Sequence, residues 1–335
     1  MASSSKPPRI VVVTGASAGV GRASVREFIK EGCTLGLLAR GTEGLEAAKA
    51  EAEAGGCKVL AIATDVADAD AVDAAAERIE RELGPIDVWV NVAFTNVFAQ
   101  FKDLTPSEYL RITEVAYLGY VYGTMAAMKR MLPRNKGTVL QVGSALAYRS
   151  IPLQAAYCGA KAAIRGFTDS IRCELVHQKS NVKITMVLMP AVNTPQFSWC
   201  KSKMPKSPQP VPPIFQPEVA GRAVHWLSKH PRRRELICGF PTWEAVWGTK
   251  LFPGLLDVYL GKTGYASQQY DGPVRPGSPD NLREPLSGDF GAHGAFNDRS
   301  SAISRFTWVT ENRVPLLAGV VGIGAAAAVI AKRNA

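Results

Sequence analysis

Short apolar runs recur at regular intervals through the first two thirds of the chain, separated by stretches with helical spacing of apolar residues. Ile10-Val11-Val12-Val13 is uninterrupted and β-branched, as in a strand buried on both faces. Comparable runs near 10–14, 34–39, 58–63, 86–91, 137–143, 182–189 and 235–239 predict seven strands. Their alternation with helices predicts an α/β fold, a doubly wound, Rossmann-like parallel sheet. The helix over 106–132 has a readable start, with Thr105 as cap, Pro106 in the first turn and Glu108 completing a capping box; Pro133 closes it. A second helix opens near Ala155.

Three segments depart from this rhythm. Residues 190–217 are proline-rich, with Met189-Pro190-Ala191-Val192-Asn193-Thr194-Pro195 and Pro208-Gln209-Pro210-Val211-Pro212-Pro213, and are too long for a plain connector; a substrate-covering lid is expected. From 240 to 312 the strand pattern stops. An aromatic stretch carrying Trp243, Trp247, Phe252 and Tyr259 is expected to pack over the domain, with an apolar entrance or a membrane contact as alternatives, and 262–312 reads as a Gly- and Pro-rich wrapping segment or linker. Val314 to Ala331 is 18 residues without a charged side chain, between Arg313 and Lys332-Arg333. As a helix it would reach roughly 27 Å against a hydrocarbon core of about 30 Å, so a C-terminal membrane helix is predicted; a buried or self-associating tail is the other reading. The domains are then a polar tail (1–8), a dinucleotide-binding domain (9–239), an extension (240–312) and the candidate membrane helix (314–331).

The first strand runs into Thr14-Gly15-Ala16-Ser17-Ala18-Gly19-Val20-Gly21, and a helix follows from about Gly19 to Lys30. In such a unit glycines admit a pyrophosphate close to the backbone, and free N–H groups at the helix start stabilise its charge. The second strand ends at Ala39-Arg40, with no carboxylate to hold an adenosine ribose. Arg40 is instead suited to a 2′-phosphate through charge-assisted bonds, which points to NADP(H), with Ser17 as a second phosphate contact.

Lys and Arg number 39 against 29 Asp and Glu, a net charge of +10. The charge permits anionic partners, but there is no basic stripe interleaved with aromatic residues, and a nucleic-acid partner is not expected. Arg232-Arg233-Arg234 reads as a solvated strand edge. The six cysteines form no Cys-x-x-Cys pair and no zinc spacing with His177, His225, His230 or His293, so free thiols and no metal are expected. Met1 to Pro8 lacks the apolar core of a secretory signal, and the catalytic domain is expected to be cytoplasmic.

Tyr157 and Lys161 lie one helical turn apart, and Ser144 ends the strand before them. A cation near a phenol favours phenolate, so Lys161 is expected to lower the pKa of Tyr157 and allow it to act as general acid and base. Ser144 can orient a substrate oxygen. With the glycine loop, these residues resemble the short-chain dehydrogenase/reductase family over roughly Arg9 to Gly239. The resemblance implies Ser144, Tyr157 and Lys161 as catalytic residues, with Tyr157 and Lys161 also at the cofactor, Lys161 on the nicotinamide ribose. It further implies Gly15, Gly19 and Gly21 near the cofactor, with Val20 in the same loop, Asp65 and Val66 at the adenine, Asn91 at the end of the fourth strand, and Thr194 at the carboxamide. It also implies pairing of subunits through helices 106–132 and 155–178.

Two positions depart from the family pattern: Phe94 stands where glycine is usual, and Ala116 where a helix asparagine supports a relay water. The expected activity is NADP(H)-dependent interconversion of a carbonyl and an alcohol on a lipophilic small molecule. The alternative is a membrane-tethered NADP(H)-binding or scaffold protein with little turnover.

Overall fold

The computed structural model describes residues 7–272, 277 and 279–313. Seven strands form one parallel sheet: β1 (Ile10–Thr14), β2 (Thr34–Ala39), β3 (Val59–Ala63), β4 (Val88–Asn91), β5 (Thr138–Ser144), β6 (Lys183–Met189) and β7 (Glu235–Ile237). Their order is β7-β6-β5-β4-β1-β2-β3. It reverses between β1 and β4, and in an open parallel sheet ligands bind at the carboxyl ends of the strands where the order reverses.

Alternation along each strand sends side chains to two cores. Val11 and Val13 join Phe28, Leu35, Leu37, Val224 and Leu227 on the face covered by α1 (Gly19–Glu31), α2 (Thr42–Ala54) and α8 (Pro217–Lys229). Ile10 and Val12 join Ile79, Trp89, Met131, Val139 and Ile184 on the opposite face, under α3 (Ala69–Leu83), α5 (Gly119–Met131) and α6 (Ala155–His177). At about 1.5–3 kcal/mol for each large apolar side chain removed from water, these two layers hold the sheet rigid.

The helix expected over 106–132 is present with one irregularity. Thr105 and Glu108 form the capping box with Pro106 in the first turn of α4 (Pro106–Thr113). A π-turn, Glu114–Leu118, then leads directly into α5. Such bulges occur mostly at functional sites, and this one lies beside α6.

Segment 190–217 is stitched down at several points. After a short helix, α7 (Gln196–Trp199), Lys201–Ser202 pairs with Val97–Phe98, Ser207–Pro208 with Gln269–Tyr270, and Ile214–Phe215 with Ser300–Ser301. Beyond β7 come α9 (Phe240–Leu251) and α10 (Pro253–Ser267). Their aromatic residues do not pack over the domain as expected: Trp243, Trp247, Phe252 and Tyr259 are exposed, as is Leu255. The apolar residues of α10 are not gathered on one face, and the helix buries only Gly264. Residues 279–296 then return across the molecule before α11 (Arg305–Glu311). Among the described residues no helix is long and apolar enough to cross a membrane; the candidate helix 314–331 lies outside them.

Candidate active site

The glycine loop lies directly against the chain leaving β4. Gly15 adopts φ +65°, and a Cβ there would fall 2.8 Å from the Ala93 Cα; one on Gly21 would fall 2.0 Å from the Gly15 carbonyl oxygen. Only glycine fits either position. Beneath the loop, buried Arg22 donates to the Ser17 and Gly44 carbonyls at 3.1 and 2.9 Å and pairs with Glu51 at 3.0 Å. Around it opens a cleft of about 1130 Å³, its mouth included. Gly15, Ser17, Gly19, Val20, Gly21, Arg40, Asp65, Val66 and Thr194 all line it. The bare loop, the helix start and this donor set fit an extended dinucleotide.

Four predicted cofactor residues sit differently from expectation, among them Tyr157 and Lys161, which stand behind Phe94 and do not line the cleft. Asn91 does not line the cleft. It is buried between β4 and α5, accepting from Trp89 Nε1 at 2.8 Å and donating to Gln141 at 2.9 Å, so it joins strands and helix behind the site. Arg40 does line the cleft, but its guanidinium donates to the carbonyls of Arg283 at 2.6 Å and Asn281 at 2.5 Å. Those carbonyls belong to residues 281–296, which cross the cleft as a strap. Arg111 donates to the Leu282 carbonyl at 3.1 Å and pairs with Asp65. Gly19 N–H donates to the Gly291 carbonyl at 3.0 Å, and Phe290 meets Trp199 edge to face at 4.6 Å. Asp65 is therefore ion-paired at the cleft wall, with its other oxygen accepting the Ala67 N–H.

Ser144, Tyr157 and Lys161 converge behind Phe94. The Phe94 ring lines the cleft, stands edge-on to Tyr157 at 5.7 Å and lies 6.0 Å from the Lys161 ammonium. Ser144 ends β5 near the Tyr157 phenol, and its hydroxyl favours the ionised phenol. The ammonium does not bond that phenol. It lies 5.5 Å from the Tyr157 ring and donates to the Tyr120 hydroxyl and the Val142 carbonyl, both at 2.9 Å. Burial raises the Tyr157 phenol above its ordinary range, Ser144 acting in the opposite direction, and burial pulls Lys161 down to about 7. The expected acidification of Tyr157 is thus opposed here by desolvation, because both groups are shut away from water.

Tyr120 was not read from the sequence. Its signal was its place one turn after Ala116 on the same helix, facing the lysine. Ala116 is itself fully buried, in one cluster with Ala156 and Ala160, so its small side chain lets α6 approach the π-turn. The strap falls within 262–312, where the sequence suggests a wrapping segment or linker, but no local signal says which surface it crosses.

The sequence model of the short chain dehydrogenase family matches residues 9–204. The chain belongs to that family. Among relatives of this short-chain dehydrogenase, an uncharacterized oxidoreductase of Bacillus subtilis, YxnA, is 29% identical over 97% of this chain and 91% of its own length. A 3-dehydrosphinganine reductase of Danio rerio is 33% identical over 56% of this chain and 58% of that protein. Among solved structures, an alcohol dehydrogenase from Thermococcus sibiricus, complexed with 5-hydroxy-NADP, superposes with a TM-score of 0.61 at 27% identity, covering 69% of this chain and 96% of that one. In this short-chain dehydrogenase the strap lies beyond the residues matched by the family model.

The remaining sequence expectations can be placed as well. All six cysteines are free thiols, Cys158 buried. His225 and His293 contact Glu31 and Glu218, and His230 stacks on Trp226. Among the described residues no cluster of three or more His, Cys, Asp or Glu side chains is placed to hold a metal.

Proposed function

We propose that the protein is an NADP(H)-dependent oxidoreductase that interconverts a carbonyl and an alcohol on a lipophilic small molecule. The observation that carries this reading is the convergence of Ser144, Tyr157 and Lys161 on one side of Phe94, with the cleft of the glycine loop on the other. When bound, the cofactor supplies or accepts the hydride. Gly15, Gly19, Val20 and Gly21 hold its pyrophosphate, Ser17 and Arg40 take the 2′-phosphate, Asp65 and Val66 flank the adenine, and Thr194 meets the carboxamide. Tyr157 gives its hydroxyl proton to the substrate oxygen in reduction and removes it in oxidation. Ser144 orients that oxygen, and the Lys161 charge favours the phenolate left behind.

Phe94, Trp199 and Phe290 give the cleft aromatic walls, which supports an apolar substrate. The reductase similarity points the same way, as do the exposed aromatic residues of α9 and α10, which with 314–331 would keep the enzyme at a membrane surface. Exposed Tyr109, Leu110, Met125 and Val176 offer a face through which helices 106–132 and 155–178 would pair two copies. With NADPH and a panel of lipophilic ketones and aldehydes, purified protein is expected to oxidise the cofactor, and Tyr157→Phe to abolish this. Full turnover by that variant would reject the mechanism. The position of the Phe94 ring between cleft and phenol favours, as a second reading, a tethered NADP(H)-binding protein; tight NADPH binding without oxidation across the panel would select it.

A further inference from the structure

Three side-chain amides and two backbone carbonyls form a chain whose hydrogen-bond directions are fixed at one end. Gln268, fully buried at the end of α10, donates through Nε2 to the carbonyls of Pro152 at 2.9 Å and Gly264 at 2.7 Å. A carbonyl can only accept, so the nitrogen must point there and Oε1 must face Gln154. Gln154 Nε2 donates to that Oε1 at 2.7 Å. Its own Oε1 then faces Asn96 and accepts from Asn96 Nδ2 at 2.8 Å. The remaining atom, Asn96 Oδ1, is buried and has no hydrogen-bond partner among the described residues.

Asn96 is only 3% exposed, yet it is one of the residues that line the cleft. A buried amide oxygen left unpaired costs about 1–3 kcal/mol. None of the three amides can relieve this by turning over, because each flip would set donor against donor or oxygen against oxygen down the chain. Gln154 immediately precedes α6, three positions before Tyr157, so the chain of amides ties the cleft-lining Asn96 to the start of the helix that carries the phenol.

We propose that Asn96 Oδ1 is a substrate-recognition site, selecting carbonyl or alcohol substrates that carry a hydroxyl or N–H donor close to the reacting carbon. Gln154 and Gln268 are positioning residues that fix the polarity of this site, and Gln268 does so from outside the cleft. The inference rests on the reading of the protein as a carbonyl reductase and names the substrate class for that same site. It also explains why the extension carrying Gln268 folds back onto the start of α6.

The test uses the full-length protein with NADPH and two ketones of equal chain length, one bearing a 2-hydroxyl and the other a 2-fluorine, which is similar in size but donates nothing. The quantity read is the ratio of their kcat/KM values, compared between wild type and variants so that the intrinsic reactivity of each ketone cancels. Asn96→Ala is expected to shift that ratio roughly tenfold against the hydroxy ketone, the scale of one hydrogen bond to a buried acceptor. Gln268→Met is expected to move it in the same direction although Gln268 does not line the cleft, because Gln154 and Asn96 become free to turn. A purely packing role for Gln268 would lower both kcat/KM values together and leave the ratio unchanged. An unchanged ratio in folded Asn96→Ala overturns the site, and an unchanged ratio in Gln268→Met overturns the polarity chain. If wild type turns over neither ketone, the reductase reading fails on its own. The same two ketones titrated calorimetrically into the NADPH-loaded protein then decide the site, with tighter binding of the hydroxy ketone that Asn96→Ala removes as the expected result and equal binding as the refuting one.

Discussion

Lys161 is an ammonium placed where water cannot reach it, and its neighbours decide whether it stays charged. Burial alone brings its pKa down to about 7, which an ordinary lysine would reach only by losing much of its solvation. Two hydrogen bonds at 2.9 Å and the faces of Tyr120 at 4.5 Å and Tyr157 at 5.5 Å oppose that loss. The titratable groups facing it are these two phenols, and among the described residues it has no carboxylate partner. Loss of the Tyr120 hydroxyl removes an acceptor that binds the ammonium more strongly than the neutral amine, so the lysine pKa is expected to fall further. Because the proposed chemistry needs the charged lysine, activity is lost as pH rises through that pKa. In Tyr120→Phe the alkaline limb of kcat/KM is therefore expected about one pH unit lower than in wild type. A uniform loss of rate with an unmoved limb would show that the hydroxyl serves packing only.

At the scale of elements, α4 shows how a local sequence signal can be complete. Thr105, Pro106 and Glu108 announce the helix start because capping is settled within four residues, and the structure has that capping box. The sequence did not reveal that the same carboxylate reaches the 190–217 segment, where Lys201 and Lys203 meet it at 3.1 and 2.7 Å. Glu108 is largely buried and, with burial working against them, these two lysines and the Thr105 backbone bring its pKa down to about 2. A depressed carboxylate stabilises the fold fully above its unfolded value, 4.5, and the contribution fades as pH falls towards 2. Glu108→Ala is expected to lose about 1–3 kcal/mol at pH 7, read from denaturant unfolding. The gap to wild type should narrow steadily between pH 4.5 and pH 2. A gap that did not change with pH would mean that the cap and the lysine pairs contribute nothing through charge. The π-turn next door had no comparable signal, since it arises where Ala116 lets α6 approach and nothing within 114–118 requires it. Helix α10 was hidden for the opposite reason: an apolar stretch without a polar face has no periodicity to read.

For the molecule as a whole, the seven-strand sheet was legible because each strand is a compact, largely apolar run, the central ones buried on both faces and the edge strands β3 and β7 less so, and its two cores follow from alternation along those runs. The glycine loop is a short local motif, and Tyr157 and Lys161 lie one turn apart on α6 with Ser144 at the end of the preceding strand β5, so their proximity could be expected from the sequence. What remained hidden depends on distant residues. Arg40 meets its carbonyl partners 241 and 243 positions away, and Asn96, Gln154 and Gln268 come from three separate elements. No local pattern encodes such meetings, and this is why Asn91 was assigned to the cofactor and Arg40 to a phosphate alone.

The strap also bears on how fast the enzyme can work. A dinucleotide seated on the glycine loop lies beneath residues fastened at Arg40, Arg111, Gly19 and Trp199, so spent cofactor leaves only after some of these fastenings part. Departure of the oxidised dinucleotide is then expected to be slower than hydride transfer. Mixing enzyme with excess NADPH and ketone should give a rapid first turnover of one equivalent, followed by a slower linear phase. Phe290→Ala unfastens the outer edge at a half-exposed ring and is expected to quicken the linear phase severalfold while leaving the first turnover as large as before. Progress curves that are linear from the first instant in both proteins would show that the dinucleotide comes and goes without waiting for this segment to lift.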